Sequence, residues 1–372
     1  MAVTDDTLLL EEQDVQEQFF ERGWTDGLPI VPPTPERVQA LLDVVGCDDP
    51  ELLIGMIPAR RRGISMEKAA VNAVMAGCKP EYFPVVVAAL ESCFDQAFNL
   101  NTVLTSTGGA AIAVVVSGPI AQEIGMNARH NCLGSGNRAN ATIGRAVRLA
   151  CCNVFGAKTG ELDASSFGHQ GKITFCFAED PPPAPWRPLH ERLGYGPQDT
   201  TVTVIPVEGV RQLAQQLNAD AEGILRTFAT SLKTPFSFHT GKGGQALMIL
   251  GPEHARFCIE QGWTQERVCE FLYEQSRVTP RELEDAGVLL EVGAQHDMSP
   301  GPDGKIRGIA SPRDIVLVTA GGEGAGWSAM APGWAPTIHA AQASRRVRPS
   351  GEPLPDCGPD GCIVPAYPAR EN

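Results

Sequence analysis

The chain has 372 residues, with 44 aspartates and glutamates against 30 lysines and arginines, and a formal net charge of −14. Its 43% hydrophobic and 20% charged residues are typical of a folded globular protein and exclude an intrinsically disordered one. The acidic balance argues against nucleic acid and against an anionic membrane surface as partners, since both require a basic face.

Residues 1–65 predict an N-terminal unit of helices and extended segments. Residues 11–24 have helical spacing, whereas residues 26–33 contain three prolines and cannot be helical. Thr34 and Pro35 then resemble an N-cap followed by proline at the first helical position. A strand is expected over 54–58, and Ser65 is expected to cap a helix that ends at Ala76.

The two following regions, 66–180 and 201–340, predict a similar order of elements. The first has helix 81–94, strand 111–116, helices 120–124 and 140–154, and strand 173–177. The second has helix 220–232, strand 247–250, helices 253–261 and 265–276, and strand 314–318. Gly-Pro follows the first strand in both regions. This repeated order of elements predicts an α/β fold of two similar, pseudo-duplicated halves with mostly parallel sheets and a ligand cleft between the halves.

Two proline-rich stretches flank the second half. Residues 181–200 contain a run of prolines that predicts an extended linker. Residues 341–372 lack periodicity and predict a flexible C-terminal tail. The longest apolar run, 110–116, is too short to span a membrane. With no export signal recognised, we expect the 11 cysteines to be reduced and the protein to be cytoplasmic.

A glycine-rich loop that leads into a helix is the best candidate for an anion site. Amide groups at a helix start attract anions, and an arginine fork suits a carboxylate or phosphate. The alternative is that the glycines only form the turn and the arginines pair within the chain. The predicted substrate-binding residues of this region are Gly134, Gly136, Arg138, Asn140 and Arg145.

Cys132 and His130 lie in the same loop. The polarised helix start should lower the pKa of a nearby thiol, so Cys132, beside His130, is a candidate nucleophile or redox thiol, and His130 is a candidate proton carrier. Simple packing of Cys132 is the alternative.

Two further histidines are candidate proton carriers. His169 and Lys172 precede a strand, where a histidine can act as a general base and a lysine can neutralise an anion. Glu253 and His254 open the helix after Gly251-Pro252, at the edge where α/β sheets place ligands. A surface turn and a capping histidine are the respective alternatives.

Other glycine-rich stretches are weaker signals. Gly321 and Gly322 follow a strand but lack dinucleotide spacing, so they predict a close approach to substrate or to a facing strand. Residues 239–244 precede a strand rather than a helix.

No motif requires a cofactor, and the metal requirement is unknown. There is no C-x-x-C or H-E-x-x-H pattern. His169, His190 and His254 could still be brought together by the fold around a metal. Cys357 and Cys362 flank a Gly-Pro-Asp-Gly turn and could form a mobile dithiol.

Several sequence segments resemble those of a poorly characterised bacterial protein family that is associated with a small protein carrying a (seleno)Cys-Gly-Ser-Cys motif. The phrases that carry the resemblance are 26–34, 71–82, 138–145, 185–190 and 251–255. The resemblance implies thiol or selenol redox chemistry, with this chain as a binding subunit or half of a site. The positions it marks are Arg138, Asn140, Arg145, Lys172, Trp186, His190, Glu253 and His254. Asn131-Cys132 and the cysteine-bearing tail depart from the family pattern.

We therefore expect an enzyme that acts on a small anionic metabolite, by thiol-assisted redox chemistry or carbon–heteroatom bond cleavage. A metal-dependent lyase or hydrolase is one alternative. A non-catalytic subunit that binds a small thiol or selenol partner protein is another, and a homo-oligomer is compatible with each.

Overall fold

A computed structural model of the protein describes residues 15–217, 220–233, 243–287, 299–324, 326–349 and 352. The predictions on His239 and Lys242 and on the Cys357–Cys362 pair lie outside these residues. In the described part, no helix is long and apolar enough to cross a membrane.

The helices mostly begin where the sequence places caps. The Ser65 hydroxyl accepts the Lys68 N–H, as predicted. The glycine-loop helix begins at Arg138 rather than Asn140, because the Asn137 side chain provides its cap. The α-helices are α1 (Val15–Glu21), α2 (Pro35–Val44), α3 (Met66–Ala76), α4 (Phe83–Cys93), α5 (Leu100–Thr105), α6 (Ile120–Glu123), α7 (Arg138–Asn153), α8 (Leu189–Arg192), α9 (Ala221–Leu232), α10 (Pro252–Glu260), α11 (Gln265–Gln275) and α12 (Pro280–Asp285).

The strands form a two-stranded hairpin and an eight-stranded mixed sheet. The hairpin joins β1 (Leu53–Ile57) and β2 (Arg62–Ser65) in antiparallel pairing. The sheet strands are β3 (Ala111–Ser117), β4 (Cys176–Ala178), β5 (Thr201–Val207), β6 (Arg211–Ala214), β7 (Gly244–Leu250), β8 (Ile315–Thr319), β9 (Trp327–Pro336) and β10 (Ala343–Arg346).

The sheet order is β4-β3-β5-β9-β7-β8, with β10 beside β5 and β6 beside β9. Among the strands of the described residues, β3–β4 and β7–β8 pair in parallel and the other strand pairs of this sheet are antiparallel. The prediction of mostly parallel sheets is therefore wrong. The reason is that β5 and β9, which are not predicted from sequence, lie between the two parallel pairs.

Helices cover the outer faces of the sheet, and the remaining faces meet each other. One core cluster packs β3–β5 against α3, α4 and α7, and a second packs β7–β9 against α9, α10 and α11. A third cluster contains side chains from all six strands of the sheet path. Its strand members are Ala111, Ala113, Val115, Phe177, Ile205, Val207, Leu247, Ile249, Val316, Val318, Ala329 and Ala331.

The sheet curls so that the ends of its two outer strands meet. The Asp180 N–H, just after β4, donates to the Thr319 carbonyl at the end of β8 at 2.8 Å. The Thr319 hydroxyl donates in return to the Asp180 carbonyl. Within the path, β5 joins β9 through the pair Val207–Gly333. Residues that follow β4 and β8 therefore share one region.

The predicted flexible tail is wrong for its first residues. β10 pairs with β5 from Ala343–Val204 to Arg346–Thr201. The Arg345 guanidinium also donates to Asp95 at 2.9 Å, and Val347 is buried. Edge pairing and an ion pair thus hold a segment that has no sequence periodicity.

Candidate functional site

Asn140 shapes the glycine-rich loop that precedes α7. Its side-chain oxygen accepts the Asn127 N–H at 3.0 Å, and its amide donates to the carbonyls of Asn127 and Cys132 at 2.8 and 3.0 Å. The side chain is buried. Asn140 therefore holds the loop in place through three hydrogen bonds of its buried side chain. Gly134 and Gly136 lie on the exposed side of the loop.

Cys132 points into the interior rather than into an open pocket. It is 6% exposed and belongs to the core cluster shared by the six strands. Burial raises the pKa of the Cys132 thiol to about 11, although nearby backbone amides favour the thiolate. The predicted lowering of this pKa is wrong, because the cost of desolvation exceeds the effect of the backbone hydrogen bonds to the thiolate.

The loop meets the second half of the chain where the sequence places Gly321 and Gly322. The Gly321 N–H donates to the Ala128 carbonyl at 2.8 Å, and His130 Nε2 lies 3.1 Å from the Glu323 carbonyl. A Cβ atom at Gly322 would lie 2.2 Å from the His130 ring. Gly322 thus allows close packing of the two loops, whereas the predicted approach to substrate or to a facing strand is not seen in the described residues.

The two arginines predicted to anchor an anion have partners within the chain. Arg145 makes a two-point ion pair with Asp26 at 2.7 and 2.8 Å, and it also donates to the Leu28 and Pro29 carbonyls. Arg138 donates to the Gly77 carbonyl at 2.9 Å. Both side chains link neighbouring segments to α7. The geometry therefore gives no support to anion binding by Arg138 or Arg145.

His254 and Glu253 are likewise engaged by the chain. His254 is fully buried, with Nδ1 at 2.8 Å from the Ser328 hydroxyl and Nε2 at 3.1 Å from the Gln215 carbonyl. Because a carbonyl only accepts, Nε2 carries the proton of the neutral ring. Burial lowers the pKa of His254. The Glu253 carboxylate accepts the Gly326 N–H at 2.6 Å.

A buried acid at the end of β4 is a feature that the sequence analysis missed. The Glu179 carboxyl accepts the Ser117 hydroxyl at 2.5 Å and the Leu189 N–H at 2.7 Å. His190 Nδ1 lies 2.9 Å from the same hydroxyl. Burial raises the pKa of Glu179 to about 7, against the effect of these hydrogen bonds.

The proposed metal cluster of three histidines does not form. His190 lies beside Ser117 and His254 beside Ser328, whereas His169 accepts from the Gly171 N–H. In the described residues, no group of three or more histidine, cysteine or acidic side chains could hold a metal ion.

Four charged or polar side chains meet where the loop that leads from α7 to β4 packs against α7. Lys172 Nζ donates to Asp163 at 2.8 Å and to the Ser165 hydroxyl at 2.6 Å. The Ser165 hydroxyl lies 2.5 Å from the same Asp163 oxygen, and Arg148 donates to the other oxygen at 2.7 Å. We call Asp163, Ser165, Lys172 and Arg148 the Asp163 cluster.

The charges of the Asp163 cluster do not balance. Burial alone would raise the pKa of Asp163, but the hydrogen bonds from Lys172, Ser165 and Arg148 outweigh it and hold this pKa at about 2. Asp163 is therefore ionised at neutral pH. One carboxylate faces two cationic side chains, which are 14% and 17% exposed, so the cluster carries one surplus positive charge.

A recess opens beside this cluster. It is narrow, with a cavity volume of about 20 Å³. One wall is apolar and the other includes two members of the cluster. The recess is lined by Val103, Leu104, Ala110, Ala111, Ile112, Gly144, Val147, Arg148, Cys151, Gly171 and Lys172.

Gly144 allows α7 to approach the loop closely enough to form the cluster. A Cβ atom at Gly144 would lie 2.4 Å from the Thr174 hydroxyl and 3.0 Å from Cys176 Cβ. The Thr174 hydroxyl donates to the Ala141 carbonyl on the preceding turn of α7 at 3.0 Å. Arg148, one turn beyond Gly144, is thereby placed beside Asp163.

His169 lies next to the cluster but is not poised as a base. Its Nδ1 accepts the Gly171 N–H at 3.2 Å, so the neutral ring keeps its proton on Nε2. Burial lowers the pKa of His169, and the charge of Lys172 lowers it further.

The structure thus brings the predicted residues Lys172 and His169 together. A second group of predicted residues meets at the glycine-rich loop and contains His130, Cys132, Asn140, Gly321 and Gly322. Arg148, Asp163 and Ser165 were missed as site residues. Their signal was present in the stretch 163–176, where an acid, a hydroxyl and a lysine lie within ten positions. Only the fold shows that Arg148 joins them.

No protein-family model matches the chain, and no curated protein matches it. Among solved structures, the chain is similar to a crystal structure of cyanuric acid hydrolase from A. caulinodans, with 11% identity and a TM-score of 0.21. The similarity covers 67% of this chain and 64% of that one, which is less than two thirds of its length. At this TM-score, the similarity identifies neither a family nor an activity. The family resemblance of the sequence phrases stays a prediction.

Proposed function

We propose that this chain is an enzyme that binds a small anionic molecule beside the Asp163 cluster and cleaves a carbon–heteroatom bond in it, with Ser165 as nucleophile. The observation that carries the proposal is the position of the Ser165 hydroxyl. It lies 2.5 Å from a carboxylate oxygen and 2.6 Å from the ammonium of Lys172, which lines the recess. A hydroxyl between an acceptor and a cation suits nucleophilic attack.

The surplus positive charge explains the preference for an anion. Asp163 offsets one of the two cations, and a bound anion would offset the other. The same charge would stabilise negative charge that develops on the substrate during attack, because Lys172 and Arg148 are held in place before the reaction.

The proposed step balances without a cofactor. Ser165 Oγ forms a bond to a carbonyl carbon of the substrate, and the carbonyl electron pair moves to its oxygen beside Lys172. The hydroxyl proton passes to Asp163 and then to the leaving heteroatom as its bond to carbon breaks. Water then cleaves the acyl-serine.

Asp163 is a weak base at rest because its pKa is about 2. An oxyanion that takes up the hydrogen bonds of Lys172 and Arg148 would withdraw them from Asp163 and raise its pKa. Proton transfer from Ser165 is thereby coupled to attack. A role for a thiolate at Cys132 receives no support from its buried position.

The test is covalent labelling with a fluorophosphonate, followed by intact-mass spectrometry and peptide mapping. We expect one adduct, on Ser165, and at least about tenfold slower labelling in K172M. The matched control is S166A, since Ser166 is the exposed neighbouring serine. Labelling of S165A at the wild-type rate, or no adduct on Ser165, would contradict the proposal.

We further propose that the two half-sheets, one formed by β3, β4 and β5 and the other by β7, β8 and β9, arose by internal duplication. β3 pairs parallel with β4 and antiparallel with β5, as β7 does with β8 and β9. An experimental structure tests this by superposition of the two strand triplets. Triplets of opposite handedness would contradict a duplication.

A further inference from the structure

We infer that Glu179, Ser117 and His190 form a buried proton-transfer site, in which uptake of one proton by Glu179 moves the proton of the neutral His190 ring from Nδ1 to Nε2. Ser117 is the last residue of β3, Glu179 follows β4, and His190 lies in α8. The site shares no residue with the Asp163 cluster, so the inference does not depend on the function proposed for Ser165.

The three side chains are closed to solvent and bonded to one another. Ser117, Glu179 and His190 are 0%, 5% and 3% exposed. The Ser117 oxygen lies 2.5 Å from Glu179 Oε2 and 2.9 Å from His190 Nδ1, and it accepts the His190 backbone N–H at 3.1 Å. Because the groups are buried, they must satisfy one another's hydrogen bonds.

Two arrangements of protons satisfy the Ser117 hydroxyl, which has one donor and two acceptor lone pairs. In the first, the hydroxyl donates to the ionised Glu179, and Nδ1–H of His190 donates to Ser117 Oγ. In the second, the protonated Glu179 donates to Oγ, and the hydroxyl donates to a bare Nδ1. The His190 backbone N–H occupies the remaining lone pair in both arrangements.

The mixed arrangements leave a buried group without a partner. An ionised Glu179 together with a bare Nδ1 would place two acceptors around a single hydroxyl hydrogen. A protonated Glu179 together with Nδ1–H would place three donors around two lone pairs. Because a buried polar group without a hydrogen bond is costly, the charge of Glu179 and the tautomer of His190 must change together.

The proton of the neutral acid belongs on the oxygen that faces Ser117. Glu179 Oε1 has no hydrogen-bond partner among the described residues, so a proton there would be a buried donor without an acceptor. Oε2 lies 2.5 Å from the Ser117 oxygen, which can accept that proton. Protonation of Glu179 therefore reverses its hydrogen bond with Ser117.

Within the described residues, no hydrogen bond holds the His190 ring in one tautomer, because Nε2 has no partner there. His254 differs in this respect. Its Nδ1 also lies beside a serine hydroxyl, but its Nε2 lies 3.1 Å from the Gln215 carbonyl, which holds the proton on that nitrogen. His254 is therefore an internal reference whose tautomer should not change with pH.

The charged neighbours of Glu179 oppose its burial. Arg192, on α8, favours the carboxylate, as do the backbone N–H groups of Leu189 and Thr319 and the Ser117 hydroxyl. Desolvation exceeds these effects and raises the pKa of Glu179 to about 7. Proton uptake by Glu179 therefore takes place near neutral pH.

The neighbours of the His190 ring act in the same opposed way. Glu191 in α8, Asp199 in the following loop and the Pro197 carbonyl all favour a proton on the ring. Burial outweighs them and lowers the pKa of His190. The ring thus stays neutral while Glu179 titrates, and the proton changes place within it.

The transfer balances in protons and charge. A proton from solvent binds His190 Nε2, the proton on Nδ1 passes to Ser117 Oγ, and the original hydroxyl proton passes to Glu179 Oε2. His190 and Ser117 each lose one proton as they gain one. The net result is one added proton and a neutral carboxyl at Glu179.

The test is ¹⁵N NMR of the imidazole groups in the full chain labelled with ¹⁵N-histidine, with the His190 signals assigned by their loss in H190Q. The titration extends from about pH 5 to about pH 9, on either side of the pKa of Glu179 at about 7. We expect His190 to carry its proton on Nε2 at the acidic end and on Nδ1 at the basic end. The midpoint should coincide with that of the Glu179 carboxyl ¹³C signal, and His254 should keep its proton on Nε2 throughout.

Variants test the coupling between the two ends of the site. E179Q removes the titrating acid and S117A removes the bridging hydroxyl, so each should leave His190 in a tautomer that does not respond to pH. S328A is the matched control, since it makes the same change beside His254 and should leave the change at His190 intact.

The wild-type titration decides the inference even if a variant fails to fold. Titration of Glu179 without a change of tautomer at His190 would overturn the inference, and so would the absence of any titration of Glu179 in this range. An imidazolium at His190 that forms before Glu179 takes up its proton would overturn it as well, because the proton would then stay on the ring.

Discussion

The arginines of α7 have different roles because each faces a different neighbour. Arg138 reaches a backbone carbonyl at the end of α3, and Arg145 pairs with Asp26 of the N-terminal segment. Arg148 shares its carboxylate with a lysine and borders the recess. All three are equally cationic in sequence, so the surplus charge depends on which carboxylates the fold supplies.

The buried carboxyl of Glu179 should make the free energy of unfolding depend on pH. Burial raises the pKa of the Glu179 carboxyl to about 7, so the carboxyl holds its proton more tightly in the folded protein than in the unfolded chain, where its pKa is about 4.5. Its contribution to the free energy of unfolding is therefore fully present below about pH 4.5 and is lost as pH rises to about 7. The size of this change is about 3 kcal/mol.

We expect E179Q to lack this pH dependence. Urea unfolding at pH 4.5 and pH 7.5 measures it, as the change in the stability difference between wild type and variant. E191Q, a change at the half-buried neighbour of His190, is the matched control and should follow the wild type. Parallel pH profiles for E179Q and wild type would show that Glu179 keeps an ordinary acidity in the fold.

At the scale of elements, contact between α7 and the loop before β4 depends on the absence of a side chain at Gly144. In G144A the new methyl group would lie 2.4 Å from the Thr174 hydroxyl, so helix and loop must separate. We expect a loss of about 1–3 kcal/mol in the free energy of unfolding, measured by chemical denaturation.

A double variant shows whether the clash is the cause. T174A removes the closest atom, so G144A/T174A should recover part of the stability lost by G144A. Recovery should be incomplete because Cys176 Cβ would still be 3.0 Å from the methyl group. Strict additivity of the two single changes would mean that the contact does not set the cost.

Element prediction succeeded where local signals were strong and failed for several strands, two of which contain prolines. The helix Met66–Ala76 was predicted with both of its bounds, because Ser65 caps it. β5 and β9 were missed, and they contain Pro206 and Pro332. A proline removes a donor and is read as a strand break, yet strand neighbours on both sides hold these segments extended.

At the scale of the molecule, the core cluster shared by six strands should make the two half-sheets unfold together. V318A removes two methyl groups from this cluster in β8. We expect it to lower the protection of β3 peptides and β7 peptides against hydrogen exchange by the same amount, about 2 kcal/mol. Loss of protection confined to β7, β8 and β9 would show that the halves unfold independently.

The sequence by itself determined the helices that have caps, the α/β class, and Lys172 and His169 as neighbouring candidate residues. These follow from periodicity, turn chemistry and local spacing, which act over a few residues. Only the tertiary structure decided the antiparallel centre of the sheet, the pairing of Arg145 with Asp26, the buried position of Cys132 and the meeting of Arg148 with Asp163. Strand order, desolvation and ion pairing depend on groups that are distant in the chain, and their energies exist only when the fold brings those groups together.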